Sequence, residues 1–181
     1  MRLKAVGILV GILGVLVAGT LPFLAWVPDD EMAPSLLAGD LVVLWPGDAA
    51  DGDVVAVVDP LDPDRWTLRR VLATRGAVRF DDGFYHTDAA EPVVLEMGHL
   101  GDQNVLQEGT HLTRRLTRPV RWEMGAVLLP AGRVWLAADD RDGAGASRWG
   151  GPVPAEAIQG VVLARVGRPT HLWRGWFTTD P

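Results

Sequence analysis

The sequence predicts a mainly β protein: an antiparallel β domain with a small insertion, preceded by one transmembrane helix. Three observations carry that expectation. Residues 5–27 hold no charged side chain and are almost wholly apolar. From residue 41 onward, short stretches rich in β-branched and aromatic residues follow one another, most of them bounded by Gly, Pro or Asp. After residue 30 no long segment shows the 3.6-residue period of an amphipathic helix. The 181 residues leave room for one span and one exported domain of ordinary size.

The apolar stretch comes first. Its 23 residues would reach about 35 Å as a helix, against a hydrocarbon core of about 30 Å. Arg2 and Lys4 precede it, and Asp29, Asp30 and Glu31 follow it. Positive charge stays in the cytoplasm, so residues 1–4 are expected there, 5–27 in the cell membrane as a single-pass anchor, and 28–181 outside. A cleaved signal peptide is the alternative, but its apolar core is usually shorter, about 7–15 residues. Gly7 and Gly11 have a spacing that suits helix packing, although glycines are common in spans.

Beyond the span, strands are expected at 41–45, 53–58, 67–72, 77–80 and 133–137, with two more at 161–166 and 172–177. Asp82-Gly83 signals a hairpin turn into Phe84, Tyr85 and His86. Residues 85–130 read as less regular, an insertion on the main sheet that carries the basic cluster Arg114, Arg115, Arg118 and Arg121. Such a cluster is more often a solvated face than a docking site.

Charge and composition exclude several functions. The net charge is −6, and setting aside Arg2 and Lys4 leaves 15 basic against 23 acidic side chains outside. Such a domain has no overall electrostatic reason to bind nucleic acid. There are no cysteines, so thiol chemistry and thiolate metal sites are absent. Asp29, Asp30 and Glu31 have oxygen ligands to offer a hard cation, but three consecutive acids point in different directions. Asp139, Asp140 and Asp142 read as turn formers. No metal and no cofactor is expected.

Residues 31–40, Glu-Met-Ala-Pro-Ser-Leu-Leu-Ala-Gly-Asp, resemble the active-site box of type I signal peptidases, Ser-Met-x-Pro-Thr-Leu-x-x-Gly-Asp. Leu68-Arg69-Arg70-Val71, with the following strand, Asp-Gly turn and Phe-Tyr, resembles that family's Ile-Lys-Arg-Val region. Ala138-Asp139-Asp140-Arg141-Asp142, continuing through Ser147-Arg148 to Val153-Pro154 and Ile158-Gln159-Gly160, resembles its third box. Three boxes in the family's order imply its fold, a β-rich core with a smaller cap inserted between the second and third boxes.

The same resemblance implies that the chemistry is lost. A Ser/Lys protease needs a serine hydroxyl as nucleophile and a neutral lysine to take its proton. Glu31 stands at the nucleophile position and Arg69 at the base. A guanidinium stays protonated and cannot act as a general base. Asp29 stands where the family has the serine that assists the oxyanion hole, and a carboxylate there would repel a developing oxyanion. Ala144 and Ala146 replace the serine and aspartate that support the catalytic lysine. The chain's one lysine is Lys4, and its two serines are Ser35 and Ser147. His86, His99, His111 and His171 fall in no recognisable catalytic motif. No catalytic residue is therefore assigned.

Glu31 and Arg69 are expected either to form an ion pair in the old cleft or to remain two solvated charges. Met32, Pro34 and Leu36 are candidates for a peptide groove that binds by strand addition, or for ordinary core or membrane-facing residues. Trp173, Trp176 and Phe177 suit an interfacial belt or a sheet face. The sequence thus predicts a membrane-anchored signal peptidase-like protein without the dyad. Besides the lipid bilayer, its expected partner is another membrane protein, as an accessory subunit, or an exported peptide. Residual cleavage by an unorthodox mechanism is the enzymatic alternative.

Overall fold

A computed structural model describes residues 22–60, 62–81, 84–88, 94–100, 103–108, 111–116, 124–141 and 151–167. Thirteen strands run through them: β1 (Phe23–Trp26), β2 (Leu41–Trp45), β3 (Val54–Asp59), β4 (Asp62–Ala73), β5 (Ala77–Asp81), β6 (Phe84–Thr87), β7 (Val94–Leu100), β8 (Gln103–Glu108), β9 (His111–Leu116), β10 (Met124–Leu128), β11 (Arg133–Ala137), β12 (Val153–Pro154) and β13 (Ile158–Gly167). They form one seven-stranded sheet in the order β1-β2-β13-β3-β4-β11-β12 and two three-stranded sheets, β10-β5-β6 and β7-β8-β9. Every pairing is antiparallel. The mainly β reading therefore holds.

The β3–β4 hairpin shows how alternation builds the large sheet. Successive side chains of a strand point to opposite faces. Ala56 stands opposite Leu68 and Val58 opposite Trp66, while Val55 stands opposite Arg69 and Val57 opposite Thr67. Ala56 and Leu68 join Val27, Met32, Leu36, Val42 and Leu44 in one buried cluster. On the other face, Val55, Val57 and Val71 join Val134, Leu136, Val153 and Val161. Being covered on both faces, β3 reads as an almost continuous apolar run.

A third cluster ties the large sheet to the β10-β5-β6 sheet. Ala73, Trp135 and Ala137 pack against Val78, Phe80, Tyr85 and Leu129. Phe80 meets Tyr85 edge-on, with ring centroids 4.8 Å apart, the arrangement that aromatic quadrupoles favour. The hairpin expected at Asp82-Gly83 pairs as it should, Asp81 opposite Phe84, although the two turn residues lie outside the described set.

Two expectations need correction. Residues 23–26 were assigned to the end of the apolar span, yet they form β1, paired with β2 from Phe23–Leu44 to Trp26–Leu41. Among the described residues no helix is long and apolar enough to cross a membrane, and residues 5–21 of the expected span lie outside them. The described part of the 85–130 stretch is regular. It contains the three-stranded meander β7-β8-β9, while β10 within it pairs with β5. Its strands, such as Gln103-Asn104-Val105-Leu106-Gln107-Glu108, hold too few apolar residues to alternate visibly. The strand expected at 172–177 lies outside the described residues.

Gly160 shows how closely the central strands approach. It lies on β13 between β2 and β3, and a Cβ there would stand 3.1 Å from the Trp45 carbonyl oxygen and 3.5 Å from the Leu44 Cβ. Gly160→Ala is expected to lower stability by about 1–3 kcal/mol, the usual range for an added atom in a packed interior. Urea unfolding measures this. An unchanged midpoint would mean that β2 can move away from β13 at no cost.

Candidate functional site

The segment between β1 and β2 is a series of turns, and its acidic side chains fix several of them. Asp29 Oδ1 accepts from the Glu31 N–H at 3.1 Å, and Asp30 Oδ1 from the Ala38 N–H at 2.8 Å. Gly39 has φ +80°, a conformation that glycine adopts without strain. Asp40 is fully buried; its carboxylate accepts from the Leu37 N–H at 2.8 Å and pairs with Arg165 at 2.9 Å. The Gly-Asp that ends the first box thus serves the turn into β2.

These turns carry Asp29 and Glu31 onto one face of β4. Alternation puts Arg65, Thr67 and Arg69 on that face, and the two sets meet in register. Arg65 pairs with Asp29 at 3.4 Å. The Thr67 hydroxyl stands 3.5 Å from Asp29 Oδ2 and 3.4 Å from Glu31 Oε2, so its single proton has two carboxylates within reach. Arg69 forms an ion pair with Glu31. It also donates to the Thr67 hydroxyl at 2.9 Å and to the Leu68 carbonyl at 2.7 Å. The Arg69 side chain is 1% exposed and that of Glu31 16%. The two side chains aligned above with base and nucleophile are therefore joined to each other.

On the next residue of β4, Arg70 makes a two-pronged contact with Asp139, Nε to Oδ1 at 2.8 Å and a terminal nitrogen to Oδ2 at 2.6 Å. It donates further to the Gly52 carbonyl at 2.7 Å and to Ser35 Oγ at 3.4 Å. Ser35 Oγ in turn donates to the Leu112 carbonyl at 3.2 Å, which ties the first box to β9. The backbone N–H of Asp140 donates to the Glu31 carbonyl at 2.9 Å. The three boxes thus converge on one place.

Chemically, the arrangement is a row of fixed ions. A guanidinium offers only donors, and Ser35 faces Arg70 and a carbonyl, neither of which can take its proton. No group of three metal-ligating side chains occurs among the described residues. Ala144, Ala146 and Ser147 lie outside them. Of the three groove candidates, Met32 is fully buried and Leu36 is 5% exposed, both within the first core cluster. They are core rather than groove wall, and only Pro34 is partly exposed.

The open apolar surface lies beside this row. A cleft of about 760 Å³ runs along β1, walled by Phe23, Leu24, Trp26, Val58 and Trp66 and reaching Arg65. Phe23, Leu24 and Trp26 are 45%, 62% and 55% exposed. Sequence reasoning missed this cleft because it assigned β1 to the membrane span. It also missed Arg65 and Thr67, although their spacing from Arg69 matches the Asp29-x-Glu31 spacing on a period of two.

A β scaffold that brings these three boxes together defines a protein of the signal peptidase class. The family model described as signal peptidase, peptidase S26, matches residues 2–166, and the chain belongs to that family. The mitochondrial ATP-independent inner membrane protease subunit 1a of Arabidopsis thaliana is 31% identical over 147 residues, which cover 78% of this chain and 68% of that protein.

Proposed function

We propose that this chain is a non-catalytic member of the signal peptidase family that acts as an accessory or structural subunit of a membrane assembly. The observation that carries this reading is the ion pair between Glu31 and the buried Arg69. A nucleophile must be free to attack, and a base must be able to lose and regain a proton. Here a carboxylate and a guanidinium neutralise each other where the family keeps a hydroxyl and an amine. The Asp29 carboxylate, 3.5 Å from Thr67 Oγ1 on the same face, adds negative charge where an oxyanion would have to be stabilised. The apolar residues before β1 would anchor the chain once in the cell membrane, with the N-terminus cytoplasmic and the β domain from β1 onward outside. That the Arabidopsis relative is named as a protease subunit supports a protein partner.

A second reading is a non-catalytic binder of extended or signal-peptide-like segments. The outer edge of β1, which has no neighbour among the described residues, and the apolar cleft beside it favour that reading.

Protein purified from its native membrane in mild detergent is expected to bring down one stoichiometric protein. A heterogeneous set of exported peptides would favour the second reading. Incubated with a preprotein, the purified chain is expected to leave it intact. Cleavage abolished by Glu31→Ala or Ser35→Ala would overturn the non-catalytic assignment. Cleavage surviving both would place the activity elsewhere.

A further inference from the structure

The apolar cleft has β1 and Pro28 on one side and the first part of β4 on the other, and it reaches Arg65, the first member of the row of ions. We propose that this cleft takes the C-terminal end of an extended apolar peptide, which lies alongside β1 and sets its free carboxylate on Arg65. The inference rests on the peptide-binding reading above and narrows its ligand to a chain end rather than an internal segment.

Backbone bonding opens the cleft beside β1 and closes it toward the ions. The Val27 N–H donates to the Asp40 carbonyl, on the β2 side, at 2.8 Å. Bonding sides alternate along an antiparallel strand. Leu24 and Trp26 therefore turn their N–H and C=O groups to the outer edge, which has no neighbour among the described residues. Phe23, Val58 and Trp66 wall the space beside them, and the buried Leu44 and Ala56 line it. On β4, the Val71 N–H donates to the Asp53 carbonyl, on the β3 side, at 2.8 Å. By the same alternation Leu68 turns its carbonyl away from β3. Arg69 already donates to that carbonyl at 2.7 Å and pairs with Glu31. A strand entering beside β1 thus runs up to an acceptor that is taken and a row of paired charges. A segment that continued would cover those charges and strip them of water, which is costly. A chain that ends at Arg65 avoids that.

The charges select a carboxylate. The Arg65 side chain is 40% exposed. It reaches Asp29 through one terminal nitrogen at 3.4 Å, longer than the roughly 2.7–2.9 Å of a close charged hydrogen bond. Its other donors have no partner among the described residues. Asp29 has less to offer: Oδ1 accepts from the Glu31 N–H, and Oδ2 has both Arg65 and the Thr67 hydroxyl within reach. The end of the cleft therefore presents donors, which suit a carboxylate and not an ammonium. β1 runs from Phe23 toward Pro28 and Asp29, so a peptide with its carboxylate on Arg65 lies parallel to it. β1 has 4 residues, and the bound end is about as long. Such a ligand is a native C-terminus or one left by peptide-bond hydrolysis, not an intact precursor.

Full-length protein in mild detergent is titrated against a short Leu/Ala peptide with a fluorophore at its N-terminus, and binding is read by anisotropy. The peptide is used as the free acid, as the C-terminal amide, and lengthened at its C-terminus by a Gly/Ser tail. The free acid is expected to bind at least about ten-fold tighter than the other two, the scale of a hydrogen bond to a charged group. Arg65→Gln should bring the acid down to the affinity of the amide, and Arg65→Lys should keep part of the preference. Equal affinities for all three peptides would overturn the proposal and leave the peptide-binding reading standing. No binding by any of them would overturn both. A preference for the acid that survives Arg65→Gln would overturn its placement on Arg65. Oleate saturating a protein that binds none of the peptides would make a lipid the occupant, and a stable dimer that excludes them would give the edge to a second copy. Either result overturns the proposal.

Discussion

Arg70→Met is expected to lower the folding stability by about 3–5 kcal/mol, the usual result of removing one partner from a buried ion pair. The Asp139 side chain is 0% exposed and that of Arg70 9%. The methionine fills much of the space but leaves a carboxylate in the interior with its two-pronged donor gone. It also removes the donors to the Gly52 carbonyl and to Ser35. Arg70 thus ties β4 to the turn before β3, to the first box and to the residues after β11. Asp139→Leu added to Arg70→Met removes the stranded charge, and the double variant is expected to recover much of the loss, since apolar replacements of whole buried pairs are often tolerated. Urea unfolding of the three variants measures this. A loss below about 0.5 kcal/mol in Arg70→Met would place it with ordinary surface changes and contradict the buried geometry.

That contact is one of several through which residues of the family's boxes hold the fold together. Gly39 and Asp40 build the turn into β2, Arg70 and Asp139 join the second box to the third, and Gly160 lets β13 lie against β2. These residues serve the fold. Glu31 and Arg69, which the resemblance aligns with nucleophile and base, are partners of each other.

The strands legible in the sequence were those with sharp borders. β2 and β11 fall where Gly, Asp and Pro bracket apolar runs, and the expected ranges 41–45 and 133–137 match them residue for residue. β4 begins at Asp62, well before the expected residue 67, because hairpin pairing with β3 draws in Asp62-Pro63-Asp64, which local rules read as turn. β1 was hidden for a different reason. Phe-Leu-Ala-Trp offers no polar residue to mark an alternation, so hydropathy alone cannot separate it from the span before it. Only pairing with β2 makes it a strand. At the site, the resemblance supplied Glu31 and Arg69, whereas Arg65 and Thr67 needed a strand assignment before their shared face became visible.

A double-mutant cycle on Glu31 and Arg69 is expected to show coupling of about 1–3 kcal/mol, the range for residues in direct contact. The two single changes should be unequal. Glu31→Gln removes an ionic partner from a guanidinium that is 1% exposed, and its loss is expected to reach roughly 3–5 kcal/mol. Thr67 and the Leu68 carbonyl remain as neutral acceptors. Arg69→Met strands Glu31, which is 16% exposed. Its carboxylate can turn toward water, and its loss is expected nearer 1–3 kcal/mol, the penalty of an unmade hydrogen bond to a buried polar group. The double variant should lose less than the sum of the two. Thermal melting at fixed pH reads all four corners. Additive losses, or equal and small ones, would mean two independent, solvated charges. Unequal, coupled losses would mean that the two positions the resemblance aligns with nucleophile and base contribute to the stability of the fold.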